Sequence, residues 1–339
     1  MPPPLIEVIH RNGIYLPEAD LWLDPHFGVK RAFISHAHRD HVARHEFTIC
    51  SEVTHDLMKT RYGFKNEGQI SALSMRQVIE WEGWELRLLP AGHIIGSAML
   101  HLMRKADGAT LLYTGDYKLR QGLSSERCEL LQADTLIMEC TFGLPQYQFP
   151  PLQEIREQAL NFIHETLAQD KIPVLLGYSL GKAQEILCLL QGSKIPVMLH
   201  QSVWKMTEQL RSHLPPIPNY SPFDAAWAQG HILIFPPMRG SLKALQGLPT
   251  RSAIFTGWGL DPGARWRLGA DLAIPLSDHA DHPELLDTVA CVKPKHILLV
   301  HGYTREFSAL LRSRGHDAWS LGREDQMDLP LGNLGLEEG

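Results

Sequence analysis

The stretch "FISHAHRDHV", residues 33–42, places His36, His38, Asp40 and His41 within six positions. Imidazole nitrogen and carboxylate oxygen are the donor set of zinc and its neighbours. His36 and His38, two apart, can point the same way from an extended segment. Asp40 and His41 are adjacent and cannot easily reach an ion held by the first pair, so the spacing favours two metals over one. Further donors stand at the ends of later apolar runs: His93 in "LLPAGHIIGSA", Asp116 in "LLYTGDYK" and His301 in "ILLVHGY". Each lies beside a glycine, where backbone can approach a centre closely. The Asp116 carboxylate could bridge both ions. A lone His or Asp after a strand is ordinarily structural; the joint pattern is specific.

These donors need elements to carry them. The first 140 residues alternate short apolar runs with Gly, Pro and Asp punctuation, which predicts strands. "SEVTHDLMKTRYG" predicts a helix, with Ser51 and Thr54 as candidate caps. The texture changes at "TFGLPQYQFPPL". There follows an amphipathic helix, "LQEIREQALNFIHETLAQD", with apolar residues at 152, 155, 159, 160, 163 and 167. "IPVLLGYSLGKAQEILCLLQ" then reads as strand, turn and helix, and "IPVML" as a strand, together a small α/β unit. After residue 272 come a short strand in "AIPLSDH", a helix in "HPELLDTVACV" and a strand in "HILLVHGY". The layout is an insertion: one domain starts at 1–144, is interrupted by 145–272, and resumes at 273–339. The tail "LGNLGLEEG" reads as poorly ordered.

Composition narrows the class. The chain has 339 residues, 44% hydrophobic and 21% charged, as in an ordinary globular protein. No apolar run approaches the roughly 20 residues that span a bilayer. The N-terminus lacks the features of a signal peptide, so the expected location is cytoplasmic. The five scattered cysteines form no C-x-x-C pair and are expected to be buried free thiols. A net charge of −6 argues against coating nucleic acid non-specifically. Residues 145–272 nevertheless carry 11 Lys+Arg against 9 Asp+Glu, while the remainder carries 21 against 29. The insertion is thus the half that tolerates phosphate. Its "GYSLGKAQ" puts Ser179, Gly181 and Lys182 at a helix start, where backbone N–H groups can receive an anion. Ser277 is a further candidate phosphate contact. The aromatic–basic stretches "WEGWEL" and "ARWRLG" are expected to pack rather than stack on bases.

With these motifs in place, the chain resembles the metallo-β-lactamase-fold nucleases of the β-CASP family along almost its whole length. Asp24 in "LWLDP", "SHAHRDH", His93 and Asp116 match the four motifs of the metal fold. Glu139 in "LIMECTFG", His279 in "PLSDHAD" and His301 in "LLVHG" match the three β-CASP motifs. Within the family, "GYSLGKAQE", "TGW" and "PLSDHADHPELL" most resemble bacterial DNA ligase-associated exonucleases. The resemblance implies an αββα sandwich with an inserted α/β cap. It implies two divalent ions, zinc first and manganese as an alternative. One is held by His36, His38, His93 and Asp116, the other by Asp40, His41, Asp116 and His301. Asp24 supports the metal loop. The catalytic set is His279 as general acid, Glu139 as its orienting carboxylate, and Asp40. The implied activity is hydrolysis of single-stranded nucleic acid, as a DNA exonuclease in repair associated with a DNA ligase and a helicase. An RNA-processing nuclease is the alternative, and a small-molecule metallo-hydrolase is disfavoured by the cap and the β-CASP motifs.

Overall fold

Period-two burial is the simplest statement of how this chain folds. In the strand Thr110–Tyr113, Leu111 and Tyr113 face one apolar cluster and Leu112 faces another. The strands Thr135–Cys140 and His296–Gly302 alternate in the same way: Ile137, Leu298 and Val300 point to one side, Leu136, Met138, Ile297 and Leu299 to the other. Successive side chains of a strand leave opposite faces, so a sheet made of such strands must be covered on both sides. The computed structural model describes residues 5–63 and 68–321 and shows how that is done.

The residues fall into two compact units, one running to Gln148 and resuming at His279, the other Phe149–Asp278. The first unit is a sandwich of two sheets. One has six strands in sequence order, from Ile9–His10 to Gln69–Leu73, antiparallel at its start and parallel thereafter. The other has seven, in the spatial order Ala318–Ser320, His296–Gly302, Thr135–Cys140, Thr110–Tyr113, Ala98–Arg104, Trp84–Pro90 and Val78–Trp81. Leu16, Leu21, Leu23, Phe33 and Ile49 of the first sheet share a core with Leu86, Leu88, Leu100 and Leu111 of the second. Each such side chain, fully buried, stabilises the fold by about 1.5–3 kcal/mol. Helices His282–Val292 and Thr304–Ser313 cover the outer face of the second sheet through Leu285, Val289, Phe307 and Leu311. Helix Glu52–Tyr62 packs on the first sheet. The result is the αββα arrangement.

The second unit has a six-stranded, all-parallel sheet with Ile172–Leu176 near its middle. Helices Leu152–Leu167, Lys182–Leu189 and Gln201–Leu210 supply Ile155, Phe162, Ile186 and Val203 to its core. The divisions at 148/149 and 278/279 lie a few residues beyond those read from the sequence. Tyr147 is buried against Phe142 and Tyr303 within the first unit, and Leu276 is buried in the core of the second.

Several local expectations change. Ser51 caps the helix Glu52–Tyr62 by accepting from the N–H of Thr54, which lies inside the helix. Of the segment "AIPLSDH" only Ala273 and Ile274 are strand, as the end of Leu272–Ile274. Cys50, Cys140 and Cys188 are buried, but Cys291 is exposed. Trp84 packs in the core as expected, whereas Trp266 of "ARWRLG" is 75% exposed with Arg265 over its ring. The tail "LGNLGLEEG" lies outside the described residues. Among those described, no helix is long and apolar enough to cross a membrane.

Candidate metal centre

The loop after strand Arg31–Phe33 holds the first donors. Its extended backbone aims His36 Nε2 and His38 Nδ1 at each other, 3.0 Å apart. His93, on the turn after strand Trp84–Pro90, brings Nε2 to 3.1 Å from His38 Nδ1. Asp116 follows strand Thr110–Tyr113, and its Oδ2 lies 3.6 Å from His36 Nε2 and 3.8 Å from His93 Nε2. The donor atoms of His36, His38, His93 and Asp116 all fall within 4.8 Å of one another. Four ligands around a tetrahedral zinc at 2.0–2.1 Å stand about 3.3 Å apart, so this set fits a metal ion.

A second group adjoins it. The 3₁₀ turn Arg39–His41 turns His41 Nε2 towards Asp116 Oδ2 at 3.3 Å and Asp40 Oδ2 at 3.7 Å. Asp116 therefore faces both groups. His301 leaves its strand with a left-handed backbone, φ 57°, where the register to Thr135–Cys140 shifts. Its ring centre stands 6.1 Å from that of His41. Gly302 is obligatory beside it, because a Cβ there would meet Thr141 Cα at 2.3 Å.

Asp24 organises the loop from below. Its Oδ1 accepts from Ser35 N at 2.7 Å, and its Oδ2 accepts from Ser35 Oγ at 2.6 Å and Tyr113 Oη at 2.8 Å. Oδ2 also lies 2.9 Å from His41 Nδ1. A carboxylate only accepts, so Nδ1 of His41 carries the proton and Nε2 is the atom presented to Asp116. The Ser35 hydroxyl has one proton, given to Asp24, so it accepts from His36 Nδ1 at 2.9 Å. That leaves Nε2 of His36 as a donor atom too. Arg61 and Tyr62, at the end of helix Glu52–Tyr62, both donate to the carbonyl of Ala37, which fixes the backbone between His36 and His38.

Electrostatics follow from this crowding. Burial, then the neighbouring His41, His93 and His38, hold His36 well below the usual histidine range, which keeps it neutral as a ligand must be. Burial opposes ionisation of Asp116, but the facing His41 and His279 outweigh it and hold the carboxyl well below the usual range. Burial pushes the Tyr113 hydroxyl up, and Asp24 adds to this, so Tyr113 stays a proton donor to Asp24.

Beside the donors stands a His–carboxylate pair. His279 Nδ1 lies 2.8 Å from Glu139 Oε1, and the His279 ring centre is 4.8 Å from that of His93. Glu139 is 1% exposed and also accepts from Tyr117 N at 3.0 Å and from the Thr141 hydroxyl. Asp116, Glu139 and His279 each offer an atom within 4.8 Å of the others. His282, next to this motif, instead meets Gly143 O at 2.8 Å, and His26 is exposed.

The four residues expected to meet phosphate are placed differently. The N–H of Gly181 donates to Gln184 Oε1 at 2.7 Å. Lys182 is 3% exposed, and its ammonium donates to Leu276 O and Asp278 Oδ1, both at 2.8 Å. Ser179 Oγ pairs with Ser202 Oγ at 2.8 Å, and Ser277 is buried. At the helix start, the Gly181 N–H is thus taken by Gln184 and the Lys182 ammonium by Leu276 and Asp278. Ser35, Arg61, Tyr62, Tyr113, Tyr117 and Thr141 were not singled out in the sequence; only Ser35, adjacent to His36, carried a local signal.

Residues 273–319 match the family described as "Zn-dependent metallo-hydrolase RNA specificity domain". The chain is 43% identical over 96% of its length to a protein of Opitutus terrae named "Probable DNA ligase", and spans 32% of that protein. It is 27% identical over 80% of its length to the DNA cross-link repair 1A protein of Mus musculus, and spans 28% of it. It therefore corresponds to less than a third of either relative. A crystal structure of a protein of unknown function from Enterococcus faecalis is similar in fold, with TM-score 0.60 and 14% identity over 87% of this chain and 79% of that one. With the αββα sandwich, the His/Asp donor cluster and these relatives together, the chain belongs to the β-CASP metallo-β-lactamase family.

Proposed function

We propose that this chain is a metal-dependent phosphodiesterase that hydrolyses single-stranded nucleic acid, acting as a DNA exonuclease in repair. The observation that carries the reading is His279, half-buried and held by the buried Glu139, against the donor cluster. A hydrolase acting only on an activated bond has little need of a second, carboxylate-held imidazole; a nuclease must protonate a ribose oxygen as it leaves.

His36, His38, His93 and Asp116 would hold one divalent ion, and Asp40, His41, Asp116 and His301 a second, zinc first and manganese as an alternative. When bound, such ions supply Lewis acidity towards phosphoryl oxygens and an activated water. His279 is the general acid. Glu139 accepts its Nδ1–H, which turns Nε2 outward with the proton to be delivered. Asp40, on the exposed rim of the loop, completes the catalytic set. The unit Phe149–Asp278 is the inserted β-CASP cap. Similarity to proteins named for ligation and for cross-link repair supports DNA over RNA and an association with ligation. RNA is the second reading, favoured by the matching family's description as an RNA specificity domain.

The test incubates the protein, loaded with zinc or manganese in turn, with end-labelled single-stranded DNA and RNA of one sequence. Stepwise shortening of DNA is expected. Cleavage of RNA without DNA would overturn the DNA assignment. Hydrolysis of small esters with neither nucleic acid cut would overturn the nuclease reading.

A further inference from the structure

The chain continues from Asp116 to Arg120, and Tyr117 and Arg120 join it to the His279 segment by a ladder of bonds. Ala280 N donates to Tyr117 O at 2.6 Å, while Tyr117 N donates to Glu139 Oε1. Arg120 Nη2 donates to the carbonyl of His279 itself at 2.7 Å. The N–H and Nη1 of Arg120 both donate to Glu284. Glu284 in turn accepts from Asp281 N, and Asp281 accepts from Glu284 N, closing the start of helix His282–Val292. The Arg120 and Glu284 side chains are 26% and 12% exposed, so the pair is largely shielded from water.

We infer that Arg120 is a positioning residue for the reaction: its guanidinium, anchored on Glu284, holds the His279 backbone so that the imidazole stands over the donor cluster. The inference rests on the reading of His279 as proton donor. The geometry is selective. Glu139 fixes the ring of His279 through Nδ1, but a ring held at one atom can still swing if its backbone moves. Arg120 fixes the carbonyl of His279 and Tyr117 fixes the next N–H, so the peptide unit that follows His279 is pinned at both its C=O and its N–H. A planar guanidinium can bridge a carboxylate and a carbonyl at once; a lysine ammonium is a compact point charge on a flexible stem and lacks that fork.

The test compares wild type, Arg120→Met, Arg120→Lys and His279→Ala on two substrates, with zinc content and Tm measured for each. One substrate is a DNA oligonucleotide, whose leaving ribose oxygen needs a proton. The other is bis(p-nitrophenyl) phosphate, whose leaving group departs as a stabilised anion. His279→Ala should lose at least about 100-fold on DNA and much less on the activated ester. Arg120→Met should show the same split, with a loss on DNA of about 100-fold, as a misplacement of about 1 Å produces, and full zinc content. Arg120→Lys keeps the ion pair with Glu284, so it should fold even if Arg120→Met does not, and should still show the split. Equal losses on both substrates, loss of zinc, or wild-type behaviour of Arg120→Lys would overturn the positioning role. If His279→Ala itself loses equally on both substrates, the proton-donor reading fails instead.

Discussion

Asp24 Oδ2 and His41 Nδ1 lie 2.9 Å apart, and that one bond decides which nitrogen of His41 faces Asp116. Through the Ser35 hydroxyl the same carboxylate sets the tautomer of His36. One buried aspartate thus prepares a histidine in each of the two proposed donor sets while itself lying outside both. Partners of this kind raise ligand basicity and fix ring orientation.

Asp24→Asn tests this with almost no change in shape. Its amide nitrogen would face His41 Nδ1 as a donor, so the ring would flip its proton to Nε2, the atom meant for a metal. Zinc affinity measured by chelator competition should fall about 10–100-fold. Ser35→Ala should weaken only the site that includes His36, so a variant losing both ions equally would contradict the division of labour.

Gly115 carries the loop past Ser35. Its φ is +53°, and a Cβ there would stand 2.6 Å from Ser35 Cβ. Gly115→Ala should cost about 1–2 kcal/mol for the left-handed backbone alone, with more for displacing Ser35. Thermal melting and zinc competition should both register it. An unchanged Tm would show that the loop relaxes freely.

The carbonyl of Ala37 accepts from Arg61 and Tyr62 at 3.0 and 3.1 Å. Arg61→Leu with Tyr62→Phe removes both donors without touching a ligand. The double variant should bind zinc more weakly than either single one, because each donor alone still pins the loop. Wild-type affinity in the double variant would mean that the loop is held by its side chains alone.

His45 gives a pH prediction. Burial lowers it to about 4, its Nδ1 accepts from Val29 N, and its Nε2 is buried without a partner among the described residues. The unfolded chain takes up this proton near the ordinary value of 6.5, the folded chain only near 4. The unfolded state therefore binds more protons between those values, and stability present above about 6.5 is lost as pH falls towards 4. His45→Asn keeps an acceptor near Nδ1 and cannot be charged. Its denaturation midpoint should fall less between pH 6.5 and 4 than that of wild type; parallel curves would exclude His45 as the source.

Part of this site is legible in the sequence because it is local. His36, His38, Asp40 and His41 are neighbours in the chain, and glycine flanks His93, Asp116 and His301. Short apolar runs set between Gly, Pro and Asp were enough to read most strands. The supports are not local. Tyr113 reaches Asp24 across 89 residues and Arg120 reaches His279 across 159, and nothing in either neighbourhood marks them. The "GYSLGKAQ" segment misleads for the same reason. Glycine, serine and lysine at a helix start suit an anion, but the acceptor that engages Lys182, Asp278, lies 96 residues away. Trp266 misleads in the other direction, since a tryptophan is ordinarily read as packing and here is exposed.

Asp116 is the carboxylate that faces both donor groups, within 3.3–3.8 Å of His36, His41 and His93. The most direct measurement is the number of zinc ions retained per chain, by elemental analysis after exhaustive dialysis, for wild type and Asp116→Ala. Two ions in wild type, with occupancy of both lost or sharply weakened in Asp116→Ala, is the predicted result. A single ion in wild type, or two ions retained with undiminished affinity in Asp116→Ala, would contradict it.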